Sequence, residues 1–98
     1  MKTSELIGSA LDWAVAKCEG VDVSQGLTDD EYYSTDWAQG GPLIEREKLE
    51  LHINKTEGWS AFADKQVYGI GSTPLISAMR CYVASKLGND VEIPEELK

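Results

Sequence analysis

The sequence predicts an α+β domain in which two main helices pack on a small antiparallel sheet centred on one hairpin. Three observations carry this expectation. Residues 3–19 and 74–87 both repeat apolar side chains at helical spacing between recognisable start and stop signals. Between them, Leu49, Leu51 and Ile53 alternate with Glu50, His52 and Asn54, the period of a half-buried strand, and a glycine-containing turn follows at once. The length of 98 residues sets the scale, since such a chain buries only about two-thirds of its unfolded surface and supports one core. Residues 1–98 are therefore expected to form a single domain.

In chain order, Thr3 or Ser4 can cap a first helix running to about Glu19, with Glu5 favouring the dipole and Gly20 placed to end it in a left-handed conformation. On its wheel Leu6, Ile7, Ala10, Leu11, Ala14, Val15 and Cys18 share one arc with Trp13 at the margin, and Glu5, Ser9, Asp12, Ala16 and Glu19 fall opposite. Trp13 reads as core or core rim rather than as a ligand stacker. Val21 to Val23 make a short alternating piece, a candidate edge strand. Residues 24–42 then show no periodicity, and structureless connections this long inside a compact domain tend to be functional. The polar front, 25–31, reads as mobile; the back, with Tyr32, Tyr33 and Trp37, reads as ordered. Ser34 or Thr35 can cap a short turn through Gln39 that Gly40 and Gly41 end, and Pro42 can open a further short turn through Arg46 or remain extended.

The hairpin follows, with strands at 49–54 and 59–64 joined by Lys55, Thr56, Glu57 and Gly58. Val67, Tyr68 and Ile70 offer a third strand that Gly69 and Gly71 weaken. The second long helix has the clearest signals: Ser72 or Thr73 as cap, Pro74 at the first position and Gly88 at the end. One side carries Leu75, Ile76, Met79, Tyr82, Val83 and Leu87, and the other is small, with Ser77, Ala78, Cys81, Ala84 and Ser85. With only Arg80 and Lys86 charged, it is expected to be covered over most of its circumference, by the first helix, the sheet or a second subunit; the last suggests a homodimer. Residues 91–93 are a second candidate edge strand before Pro94.

Composition narrows the function classes. Hydrophobic residues at 42% against 27% charged residues are ordinary for a folded domain. The excess of 17 acidic over 9 basic residues, a formal charge of -8, has the wrong sign for direct binding to a phosphate backbone. No apolar run approaches the roughly 20 residues that span a bilayer, and Glu5 and Asp12 interrupt any leader-like amino terminus, so a cytoplasmic protein without membrane contact is expected. Cys18 and Cys81 fall in apolar helical patterns and read as reduced, buried thiols. With His52 as the one histidine, the chain lacks the paired ligands of a structural zinc site, and neither a metal nor a cofactor is expected.

Three stretches, LDWAVAKCEG (11–20), YSTDWAQGGPLIERE (33–47) and TPLISAMRCYVASKLG (73–88), resemble the NinX family, small accessory proteins of tailed phages and prophages. The resemblance spans nearly the whole chain, with departures at 25–31 and 65–70. It implies expression inside a bacterial host; it brings no established activity and no list of functional residues.

The candidate site therefore comes from the residues themselves. Tyr33, Ser34, Thr35, Asp36, Trp37, Gln39, Gly40 and Gly41 combine aromatic surface with a carboxylate, an amide, hydroxyls and glycines that admit close backbone approach. Either this segment contacts a ligand or Trp37 plugs the core and the polar residues cap turns. Gly71, Ser72 and Thr73 before the second long helix, with Arg46 or Arg80 supplying charge, form a weaker candidate for anion binding; no phosphate-loop lysine accompanies them. The expected function is non-enzymatic binding of a host or phage protein through residues 32–41, with binding of a small polar, nucleotide-like ligand as the alternative. Acidic mimicry of nucleic acid is a third class, disfavoured because basic residues interrupt the acids.

Overall fold

The computed structural model describes residues 1–24, 31–63 and 67–97. Three helices, α1 (Gly8–Cys18), α2 (Trp37–Glu47) and α3 (Pro74–Leu87), accompany strands β1 (Glu50–Asn54), β2 (Gly58–Phe62) and β3 (Tyr68–Gly71), with 3-10 turns at Thr3–Glu5 and Glu95–Leu97. The class is α+β as predicted, with three helices in place of two. Among the described residues no helix is long and apolar enough to cross a membrane.

Helix α3 has the predicted bounds and the predicted caps. Thr73 Oγ1 accepts the Ile76 amide at 3.1 Å, Pro74 occupies the first turn, and Gly88 closes the helix with φ of +85°. Its large face (Leu75, Ile76, Met79, Tyr82, Val83) and its small face (Ser77, Ala78, Cys81) are both buried. It packs on β3 and β2, on α1 and on α2. The expectation that this helix is covered over most of its circumference is met within the chain.

The sheet is antiparallel in the order β1-β2-β3. Its register aligns Leu51, Ala61 and Gly69 in one row and Ile53, Trp59 and Gly71 in the next. Gly69 and Gly71 put both rows on the face toward α3. The two glycines that weaken this strand in the sequence are what permits it here. A Cβ on Gly69 would lie 2.4 Å from both the Cys81 nitrogen and the Ser77 oxygen, and one on Gly71 would lie 2.7 Å from Ile76 Cγ2. Helix backbone and strand backbone thus meet with almost nothing between them. Along β1 the predicted alternation holds at Leu49, buried, and Leu51, half-buried, but Ile53 is 73% exposed. Helix α3 lies across β2 and β3, and β1 is the strand farthest from it.

Four local expectations need correction. The first helix does not start at a Thr3 or Ser4 cap: Thr3 pairs with the other end of the chain, its amide donating to Asn89 O (2.9 Å) and its hydroxyl to Gly88 O (2.6 Å). Leu6 is extended and its carbonyl accepts from Arg80 Nε at 2.8 Å, so the helix begins only at Gly8. Second, the polar side of the wheel is only partly exposed: Glu5 and Ser9 are out, but Asp12 and Ala16 are buried, and Ile7 of the apolar arc is out. Third, Val21 to Val23 form no strand; the Val21 amide is used on Ala16 O as α1 ends, with Gly20 at φ +80° as expected. Residues 91–93 also lie outside the sheet, running beside the amino terminus through the Lys2 to Asp90 bridge while Val91 and Ile93 enter the core. Fourth, residues 37–47 are one helix, uninterrupted by Gly40, Gly41 or Pro42. Residues 25–30 of the segment 25–31, read as mobile, and Asp64 at the end of the returning strand lie outside the described residues.

The contact of α3 with β3 makes a direct prediction for chemical denaturation. Gly69→Ala is expected to lower the unfolding free energy by about 3 kcal/mol or more, because backbone must move to admit the methyl group. Gly20→Ala, at a strained φ with open space around it, is expected to cost about 1 kcal/mol. Equal losses in the two variants would contradict the close-packing account.

Candidate functional site

Residues 32–41 form a turn that enters α2. The amides of Thr35 and Asp36 both donate to Tyr32 O, at 3.1 and 2.8 Å. Asp36, not Ser34 or Thr35, is the helix cap: its Oδ1 accepts the Ala38 amide at 2.9 Å. Gln39, three residues on, reaches back to accept the Tyr32 amide at 2.8 Å and donates to Asp36 Oδ2 at 3.5 Å. The two side chains thus tie turn and helix start together, much as in a capping box. Gly40 explains why the helix does not stop there. Its missing Cβ would lie 2.4 Å from Tyr33 O and 2.6 Å from Leu75 Cδ2, so it is a contact glycine where α2 crosses the turn and the start of α3. A Cβ on Gly41 would meet Trp37 Cε3 at 3.8 Å, an ordinary contact distance. Pro42 costs α2 the amide that would have bonded Ala38 O.

A buried carboxylate anchors this segment from below. Asp12 of α1, 5% exposed, accepts the Ser34 amide through Oδ1 at 2.8 Å. Burial pushes its pKa above the usual range, and the bond from the Ser34 amide offsets part of that rise. Ser34 is buried beside it, which removes it as a cap and as a contact residue. Tyr33 is half-buried against the core, and its phenol is shifted upward mainly by that burial. Trp37 does not plug the core: it is 53% exposed, and Tyr32 nearby is 48% exposed. Trp13, by contrast, is core, with the Lys17 ammonium 5.3 Å from its ring centre.

The residues of the weaker candidate are occupied elsewhere. Pro74 has no amide, Thr73 Oγ1 takes the Ile76 amide and Thr73 O takes the Ser77 amide at 3.0 Å, which leaves little of the α3 start to an anion. Gly71 is packed under Ile76, and Ser72 beside it is exposed. Arg46 lies at the far end of α2, in a fork on Glu19 (3.0 and 2.6 Å), with Nε on Glu47 at 2.9 Å and Nη2 also donating to the Tyr82 hydroxyl at 2.9 Å. That hydroxyl donates to Glu19 in turn, and Lys86 pairs with Glu47 at 3.4 Å. The Arg46 bonds hold the Glu19 carboxyl below the usual carboxylate range, while burial and Glu19 push the Tyr82 phenol up. Arg80 donates to Leu6 O and Ile70 O. The segment meets the start of α3 where Gly40 packs on Leu75, while Arg46 and Arg80 are bonded elsewhere.

Both cysteines are free thiols, and Cys18 is pushed up to about 11 by burial and by Glu19, which keeps it protonated and unreactive. His52 is exposed on the outer sheet face, 3.3 Å from Glu50. Two placements escaped the sequence reading, the burial of Asp12 and the exposure of Tyr32 over Tyr33. Asp12 sits among polar residues on the helical wheel, and nothing in LDWAVA marks it as buried. Tyr32 differs from Tyr33 by one position in an aperiodic stretch, where no spacing rule tells which ring faces solvent.

Two variants test these anchors in equilibrium unfolding. Asp12→Leu is expected to cost about 2 kcal/mol by orphaning the Ser34 amide, and Asp12→Asn, which keeps an acceptor, distinctly less. Because the folded pKa of Asp12 is raised, its proton linkage favours the fold below the unfolded pKa and is lost as pH rises through the folded value; the Asn variant lacks this slope. Glu19→Gln has the opposite sign: its deficit is present at neutral pH, and the gap to the parent closes as pH falls through the depressed Glu19 pKa. A deficit independent of pH would rule out the ionic account of the Glu19 and Arg46 contact.

Among curated proteins no match to this chain is found. A family model described as Bacteriophage P22, NinX covers residues 2–86, which takes in two of the stretches that carry the resemblance and all but the last two residues of the third, and the chain belongs to that phage family.

Proposed function

We propose that this NinX chain is a non-enzymatic phage accessory protein that acts in the host cytoplasm by binding a host or phage protein through Tyr32 and Trp37. The observation that carries the reading is the state of Trp37: more than half exposed, at the start of a helix whose cap and preceding turn are internally bonded. An exposed tryptophan beside an exposed tyrosine on a rigid support has the character of an interface anchor, since such residues add large contact area with little ordering entropy to lose. Thr35 and Ala38, also exposed, extend the patch with small side chains.

The same geometry gives less support to a small polar ligand. Asp36 and Gln39, the groups that would orient it, already bond to each other and to the amides of Ala38 and Tyr32. The homodimer expectation rested on the small face of α3, and β3 occupies that face. The negative charge argues against direct contact with nucleic acid.

The test is affinity capture from phage-infected cells with the parent chain, Trp37→Ala, Tyr32→Ala and Ile53→Ala. The first two substitutions are expected to leave the melting temperature within a few degrees, because both rings are largely in solvent, and to reduce recovery of any specific partner tenfold or more. Ile53→Ala, exposed on the sheet, is expected to retain it. Undiminished recovery with Trp37→Ala would overturn the assignment of this surface.

A further inference from the structure

A cleft of about 680 Å³ runs along β3, lined on one side by Val67 to Ile70, on the other by Lys2 to Ser4 and Gly88 to Asp90, with Arg80 and Ala84 of α3 between them. It includes none of residues 32–41. The hydrogen-bond phase of the sheet identifies which edge it follows. The Ala63 amide donates to Val67 O at 3.0 Å, so Val67, Gly69 and Gly71 bond toward β2, and the amides and carbonyls of Tyr68 and Ile70 point away from the sheet into the cleft. Arg80 Nη1 takes Ile70 O at 2.7 Å. The Tyr68 amide and carbonyl and the Ile70 amide have no partner among the described residues. The opposite wall holds the isolated bridge of Lys2 and Asp90 and the start of the 3-10 turn at Thr3–Glu5.

The charge of the cleft is opposite to that of the protein. The chain carries -8 overall, yet the basic side chains lining the cleft are Lys2 and Arg80, and its acid, Asp90, is already paired with the Met1 ammonium at 3.0 Å. Arg80 is half-buried, two of its five N–H donors go to carbonyls, and none of the ion pairs among the described residues includes it. Burial with no carboxylate beside it holds its pKa below the ordinary arginine value. An incoming carboxylate would supply the counter-charge.

We propose that this cleft takes an extended acidic peptide segment of a partner protein, which adds to β3 as a fourth strand and sets a carboxylate on Arg80. Backbone addition to a free edge supplies affinity, and alternate side chains supply specificity. Residues of the added strand that face α3 lie over Arg80 and Ala84 and are acidic or small. Those facing the other way continue the outer sheet surface, where the rings of Phe62 and Tyr68 stand 6.2 Å apart, and are apolar. The expected ligand therefore alternates acidic and apolar residues. Lys2, at the opposite wall, adds to the attraction for the same chain.

The probe is the peptide acetyl-(Val-Asp)3-amide, titrated to millimolar concentration into the full-length, nitrogen-15-labelled protein. Amide exchange at Tyr68 and Ile70 is expected to slow tenfold or more at saturation. The peptides acetyl-(Val-Lys)3-amide and acetyl-(Val-Asp)3-amide N-methylated at alternate residues are expected to leave both amides unchanged. Lys2→Glu, a reversal at an exposed position away from the core, is expected to weaken binding at least fivefold, and Trp37→Ala to leave it unaltered. Failure of the acidic peptide to protect Tyr68 and Ile70, equal protection by the lysine peptide, or undiminished binding to Lys2→Glu would overturn the proposal.

Discussion

The close apposition of α3 and β3 is the constraint on which the remaining structure depends. Two helix atoms, Ser77 O and the Cys81 nitrogen, stand where a Gly69 Cβ would be. At such a distance no side chain mediates the contact, so the spacing of helix and sheet is set by backbone. Everything else is placed by reference to α3: α1 and α2 pack on it, Tyr82 carries the polar cluster of Glu19 and Arg46, and Arg80 ties Leu6 to Ile70. Burial of small residues contributes little hydrophobic free energy per side chain. The gain is geometric, a short core in a chain too small for a thick one.

Polar anchors position the surface elements that the core does not reach. Asp12 holds the turn before α2 through the Ser34 amide, and Glu19 holds the far end of the same helix through Arg46. Two carboxylates, Asp12 within α1 and Glu19 at its C-cap, seven residues apart and so about two turns, therefore fix both ends of α2. They differ in environment. Asp12 is buried with an amide and a hydroxyl, so ionisation is disfavoured; Glu19 meets a guanidinium, so ionisation is favoured. Exposure of Trp37 is a consequence of this fixing, because the helix that carries it cannot roll to bury the ring.

The sequence made the secure parts of this fold legible where a local signal and the tertiary need coincide. Thr73, Pro74 and Gly88 delimit α3 without reference to any partner, and the alternation at 49–54 identifies β1. Where the deciding contact is distant, local rules mislead. Gly69 and Gly71 read as strand breakers because the helix that requires them is invisible in a local window, and Gly40 and Gly41 read as a helix stop although Gly40 is a contact with Leu75. Thr3 reads as a cap because Gly88 and Asn89, more than eighty residues later, leave no trace near it. The candidate segment was visible as an aperiodic aromatic stretch. Which ring is exposed was not, since that depends on Asp12, a residue on another helix.

The sheet has one face under α3 and one carrying His52, Phe62 and Tyr68, with free backbone along β3. Such an edge is a template for pairing with a second copy of itself. The chain's net charge of -8 opposes the approach of two copies edge to edge, while Lys2 and Arg80 give that one margin a local charge of the opposite sign. Near the isoelectric point of about 4.5 set by the composition, that repulsion vanishes while the edge remains.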